Sequence, residues 1–205
     1  MLHDLIVDDE SIFQYPFKTR LEITNYLLEL INKHDAGTAR HSYNVASMAV
    51  DFAKKMKFSP HLIQDIFVAA LLHDIGKIKI PVSILNKPGK LTESEFSLIK
   101  KHPQYGFSIL YQIPPLQSIA EAVCCHHEKI DGSGYPNGKS GDEIPLIAQL
   151  LSIIDVFEAL TADRTYRKAL TTEQAFQVID SGKGFQFNPS LVTSFLLGGH
   201  YIGFS

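Results

Sequence analysis

The chain has 205 residues, 45% of them hydrophobic and 20% charged, with a formal net charge of -3. That length suits one hydrophobic core with a short appendage, and the mild acidity excludes a broad DNA-binding surface, which needs clustered Lys and Arg. No apolar run approaches a membrane span, and Met1-Leu2-His3-Asp4 lacks the basic and apolar regions of a secretory signal, so a cytoplasmic protein without membrane contact is expected.

Helical periodicity dominates, and the hairpin dipeptides and alternating runs of sheets are nearly absent. Residues up to about Pro16 are mixed in pattern and read as a short amino-terminal arm. A first helix is expected from Arg20 to about Asn32 with Leu21, Leu28 and Ile31 inward; arm and helix together form 1-33, ahead of the main domain at 34-205. From Thr38, the residues Val45, Met48, Ala49, Phe52 and Met56 fall on one stripe, and His41, one turn before Val45, points inward. The next helix, from about Pro60, buries Leu62, Ile66 and Ala69. His73 extends that stripe by a turn, and Asp74 similarly extends Ile63, Phe67 and Ala70. Gly76 reads as the close of this helix, and a Pro- and Gly-punctuated connection from Ile80 to Gly89 follows.

Thr92 to Lys101 is expected as a helix opened by a Thr92…Glu95 capping box. It should end at His102-Pro103, because the residue before proline is disfavoured in the helical region. Further helices are expected at Tyr105 to Tyr111, Leu116 to His126, Pro145 to Ala162, Thr172 to Ser181 and Pro189 to Leu197. The architecture is thus all-α, a helical bundle. Cys124 and Cys125 are adjacent in an apolar helical stretch and read as core thiols, not as a disulfide. The Asp131 to Gly141 segment carries four glycines and one proline, and reads as a flexible, exposed loop suited to a lid or a contact surface.

Chemistry concentrates at helix ends. Asp155 lies in Leu150-Leu151-Ser152-Ile153-Ile154-Asp155-Val156-Phe157, a stretch apolar almost all round, where an isolated carboxylate would be heavily penalised without a cation or hydrogen-bonding partners. Read alone, His41 or His102 is more often a packed, hydrogen-bonded histidine than a ligand. His73-Asp74 is a stronger signal, since it supplies one nitrogen and one carboxylate able to bridge two ions. His126-His127 at the end of a packed helix is stronger again.

Taken in order, His41, His73-Asp74-Ile75-Gly76-Lys77, His102-Pro103, His126-His127-Glu128, Asp131-Gly132-Ser133-Gly134-Tyr135-Pro136 and Asp155 resemble the HD-GYP subfamily of the HD phosphohydrolases, over about residues 34 to 197. The resemblance implies a helical HD-type domain and a metal-dependent phosphodiesterase that hydrolyses cyclic di-GMP to linear pGpG, with continuation to GMP left open. It also implies two or three irons, or manganese, at the centre; two divalent ions about 3.5 to 4 Å apart would lower the pKa of a bridging water and stabilise the oxygens of an in-line displacement. By the resemblance, His41, His73 and Asp155 complete one ion's shell, His102, His126 and His127 hold the other, and Asp74 bridges them.

Lys77, one turn after Asp74, would neutralise a phosphate oxygen or orient the nucleophile. Tyr135, Arg164 and Arg167 occupy positions where the resemblance places substrate contacts, although the two arginines could equally pair with Asp163 or Glu158 at the surface. The Gly134-Tyr135-Pro136 loop is implicated by the same resemblance in docking diguanylate cyclase (GGDEF) domains. Gly37 stands where trinuclear members carry a glutamate ligand, favouring two ions, and Gln149 and Asn44 replace common arginines. Nothing in the residues reads a base, so cyclic GMP-AMP or another nucleotide is an alternative substrate, and a weakly catalytic cyclic di-GMP sensor an alternative class. A homodimer is compatible with all of these readings.

Overall fold

Helix starts carry most of the local instructions. In the computed structural model, which describes residues 19–163 and 168–199, Thr19 caps α1 (Arg20–His34) in a reciprocal box with Glu22. Asp35 then ends α1 and caps α2 (Ala36–Lys55) by accepting from the Thr38 amide. Ser59 caps α3 (Pro60–Leu72), whose first-turn proline has no amide to leave orphaned. A 3₁₀ turn, Ile75–Lys79, leads through α4 (Val82–Leu85) to α5 (Glu93–Ile99), opened by the expected Thr92/Glu95 box. There follow α6 (His102–Tyr111), α7 (Gln117–Cys125), α8 (Leu146–Thr161), α9 (Thr172–Ser181) and α10 (Pro189–Gly199). No β-strand forms among the described residues, in keeping with the all-α expectation.

The hydrophobic positions close one principal core. Val45, Ala49 and Phe52 of α2 face Ile66, Ala69 and Leu72 of α3, and all six are buried. Phe157 of α8 stacks on Phe176 of α9 and meets Phe195 of α10 edge-on, both at 5.2 Å between ring centroids. Each such ring contributes roughly 2–3 kcal/mol of apolar burial. Leu27, Leu28 and Ile31 place α1 in the same core, and the division at 33/34 falls inside this helix. Cys124 and Cys125 are buried free thiols packed with Ala122, Ile144 and Ala148. No helix among the described residues is long and apolar enough to cross a membrane.

Four expectations need correction. Leu21 is 59% exposed and Phe67 37% exposed, because each lies just off the stripe that faces a neighbouring helix. Gly76 does not close α3, which ends at Leu72; it lies within the 3₁₀ turn, for a packing reason given below. The helix before His102-Pro103 does end, at Ile99, but the next one starts at His102 and not at Tyr105. Pro103 is the second residue of α6, where its missing N–H costs no helical bond. The Asp131 to Gly141 segment is not loosely held: Tyr135 N–H donates to the His127 carbonyl, Asn137 N–H to Glu128 Oε1 and Gly141 N–H to the Ile130 carbonyl. The expected amino-terminal arm up to Pro16 lies outside the described residues.

Candidate metal centre

Three ligand candidates owe their orientation to helix carboxyl ends. His73 follows α3, His102 follows the end of α5 and His126 follows α7, where the last carbonyls have no helical amide to accept from. Each ring turns its Nδ1 onto the carbonyl three residues back: His73 on Ala70 and His102 on Ile99 at 2.8 Å, His126 on Val123 at 2.6 Å. A carbonyl only accepts, so Nδ1 carries the hydrogen and Nε2 keeps its lone pair. All three Nε2 atoms point into one space. Those of His102 and His126 lie 3.2 Å apart, and that of His73 is buried without a hydrogen-bond partner.

Asp74 stands among them. Its Oδ1 is 3.2 Å from His102 Nε2, and its Oδ2 is 3.4 Å from His73 Nε2, 3.9 Å from His41 Nε2 and 2.7 Å from Lys77 Nζ. His41 comes from α2 and Asp155 from α8, with His41 Nε2 at 2.9 Å from Asp155 Oδ1. Three donor groups within metal-ligating reach result: His102, His126 and His127; His41, His73 and Asp155; and His73, Asp74 and His126. The arrangement thus brings together all seven residues expected as ligands, in the two sets expected, with Asp74 between them.

Electrostatics suits cations. Burial, aided by neighbouring imidazoles or Lys77, holds His102 down at about 3 and lowers His126 and His127, so their rings are neutral. Burial alone would raise the carboxyls of Asp74 and Asp155; Lys77 with the surrounding histidines, and His41 respectively, overcome it and keep both ionised. Facing lone pairs and two buried carboxylates are an arrangement that a positive ion relieves. The donor set fits one or two divalent metals, His73, His102 and His126 being 1% exposed and Asp74 2%. Solvent reaches the rim of the site, where His127 is half-buried and the side chains of His41, Asp155 and Lys77 are 12%, 14% and 23% exposed.

His41 behaves differently. Burial would lower its pKa, but hydrogen bonds to Asp155 and Glu158 raise it to about 9. A metal ion must compete with that proton. Titrating a divalent ion into chelator-treated protein at pH 7 in weak buffer is expected to release about one proton per chain from this ring, with affinity rising as pH approaches 9. Proton-neutral loading would refute that exchange.

The remaining expectations divide. Tyr135 is close, its ring centroid 4.8 Å from that of His127, and burial with the nearby aspartates raises its phenol so that it stays protonated. Arg164 and Arg167 lie outside the described residues. Glu158, offered above as an alternative surface partner for the arginines, is 3% exposed and accepts from Asn44 Nδ2 at 2.8 Å while meeting His41 Nδ1. Its i, i+3 spacing from Asp155 was the available signal. Gln149 acts as a clasp, donating to the Ile144 carbonyl and accepting from Asn188 Nδ2, both at 2.7 Å.

Related sequences and folds occur among known proteins. A family model described as HD domain matches residues 25–191. A cyclic di-GMP phosphodiesterase of Thermotoga maritima is 42% identical over 178 residues, which cover 86% of this chain and 48% of that protein. A 3'3'-cGAMP-specific phosphodiesterase 3 of Vibrio cholerae is 37% identical over 161 residues, 78% of this chain and 35% of that protein. Among solved structures, the HDG"Y"P protein Bd1817 from Bdellovibrio bacteriovorus superposes with a TM-score of 0.65 at 21% identity, covering 93% of this chain and 68% of that one, a likeness of fold. The chain spans less than half the length of the curated relatives it matches.

Proposed function

The chain belongs to the HD-domain family, and from that premise we propose that it is a metal-dependent phosphodiesterase hydrolysing cyclic di-GMP to linear pGpG. The observation that supports this best is the pair of histidine–carboxylate groups meeting at Asp74 with Lys77 at their open side. Bound divalent ions would supply charge neutralisation for the phosphodiester and a nucleophile available at neutral pH. Iron, alternatively manganese, is proposed, as both take imidazole and carboxylate donors without thiolate.

The chain's own residues do the rest. Neutral imidazoles of His102, His126 and His127 offer lone pairs instead of competing charge. Lys77 Nζ fixes Asp74 at 2.7 Å and keeps its other donors for a phosphate oxygen at the accessible rim. Tyr135 retains its phenolic hydrogen and donates beside His127. Arg164 and Arg167 complete the proposed substrate contacts as planar phosphate clamps. Location in the cytoplasm and docking of a GGDEF-type cyclase on the Gly134-Tyr135-Pro136 loop belong to the same proposal.

Cyclic GMP-AMP is the second reading, favoured by the 37% identity to the cGAMP-specific relative. Anaerobic purification, metal analysis and chromatography of both cyclic dinucleotides after incubation test the pair. Conversion of cyclic di-GMP to pGpG is the expected result, and a metal-bearing chain that turns over neither would sink the enzyme reading.

A further inference from the structure

The Nδ1 atoms of His73, His102 and His126 are each satisfied by the end of a helix. His41 cannot use that device. It lies in the second turn of the 20-residue α2, where backbone carbonyls are engaged in the helical ladder. Its Nδ1 is met instead by Glu158 Oε2 at 2.5 Å, from a residue 117 positions away. Asp155 faces the other nitrogen of the same ring at 2.9 Å. One face of α8 therefore presents a carboxylate to each side of His41, through positions three apart. Glu158 lies outside all three donor groups, is 3% exposed, and has its second oxygen held by Asn44 Nδ2 at 2.8 Å.

We propose that Glu158 is a positioning residue for His41, fixing the imidazole with its hydrogen on Nδ1 and its lone pair on Nε2, and that Asn44 clamps the carboxylate that does so. The inference rests on the metal-centre reading above. A carboxylate accepts and does not donate, so the ring nitrogen facing it must carry the hydrogen. The opposite tautomer would aim an N–H at Asp155 and remove His41 from the donor set. A partner of this kind also raises the basicity of the nitrogen on the far side of the ring.

The test titrates Mn²⁺ into the chelator-treated full chain without oxygen, reading stoichiometry by elemental analysis and affinity by calorimetry. Glu158→Gln is expected to weaken one of two ions by about 10–100-fold and to leave the other at its wild-type affinity. Its amide has one accepting oxygen in place of two and no charge, so it cannot accept from both His41 Nδ1 and Asn44 Nδ2 on separate oxygens and no longer raises the basicity of the ring. Glu158→Asp should regain part of the loss, and Asn44→Ala, which keeps the carboxylate but frees it, should weaken the same ion by a smaller factor. A purely structural role would lower the melting temperature without separating the two ions. Wild-type affinity for both ions in Glu158→Gln, or in Asn44→Ala should Glu158→Gln fail to fold, overturns the proposal. Failure of the wild-type chain to take up Mn²⁺ overturns the metal-centre reading itself, and this inference with it.

Discussion

Asp74→Asn is expected to lower kcat/KM for cyclic dinucleotide hydrolysis by about 10³-fold, or ~4 kcal/mol of barrier, and to reduce the metal content of the purified chain. Asp74 is the carboxylate within 4 Å of three of the four side chains His41, His73, His102 and Lys77 through one oxygen, and of the remaining one through the other. An amide keeps the shape, but it loses the charge and aims an NH₂ group at a histidine nitrogen or at Lys77. Metal analysis alongside steady-state kinetics checks both parts. Full metal content with unchanged turnover would remove Asp74 from the centre.

Gly76→Ala should be the most damaging glycine-to-alanine substitution among the described residues. A Cβ at that position would lie 1.9 Å from the His102 carbonyl oxygen and 2.6 Å from the Gly106 amide nitrogen. Both are backbone atoms of α6, so no rotamer change relieves the clash and the whole helix must move. The expected cost is about 3–5 kcal/mol, at the upper end for overpacking, which for a domain of this size lowers Tm by roughly 10 °C. Because His102 sits at the contact, metal binding should weaken as well. A thermal melt monitored by circular dichroism decides it, and a Tm within a degree or two of wild type would mean that the contact yields.

These two residues illustrate what could be read from the sequence. The helices, the Thr92/Glu95 box and the membership of Asp74 in a site followed from periodicity, spacing and the resemblance to a family. Gly76 was assigned to helix closure because a glycine after an apolar helix usually has that role. Its actual reason is a tertiary approach by a segment 26 residues later, which no local pattern encodes. Glu158 was missed on the same ground. Its partner His41 is 117 residues away, and a glutamate within an apolar helix resembles a surface residue until the fold shows what it faces. Leu21 and Phe67 erred more simply, since helical spacing gives a face but not its width.

The burial gradient across the centre would set an order of events. His73, His102 and His126 are each 1% exposed, so a metal ion would reach them past the partly exposed rim of His41, His127, Asp155 and Lys77. On the proposed function, metal would load before substrate, and a nucleotide seated at Lys77 would cover the ions. Exchange of the ions would then fall in the intervals between turnovers, and a high substrate concentration is expected to protect the loaded protein from chelators.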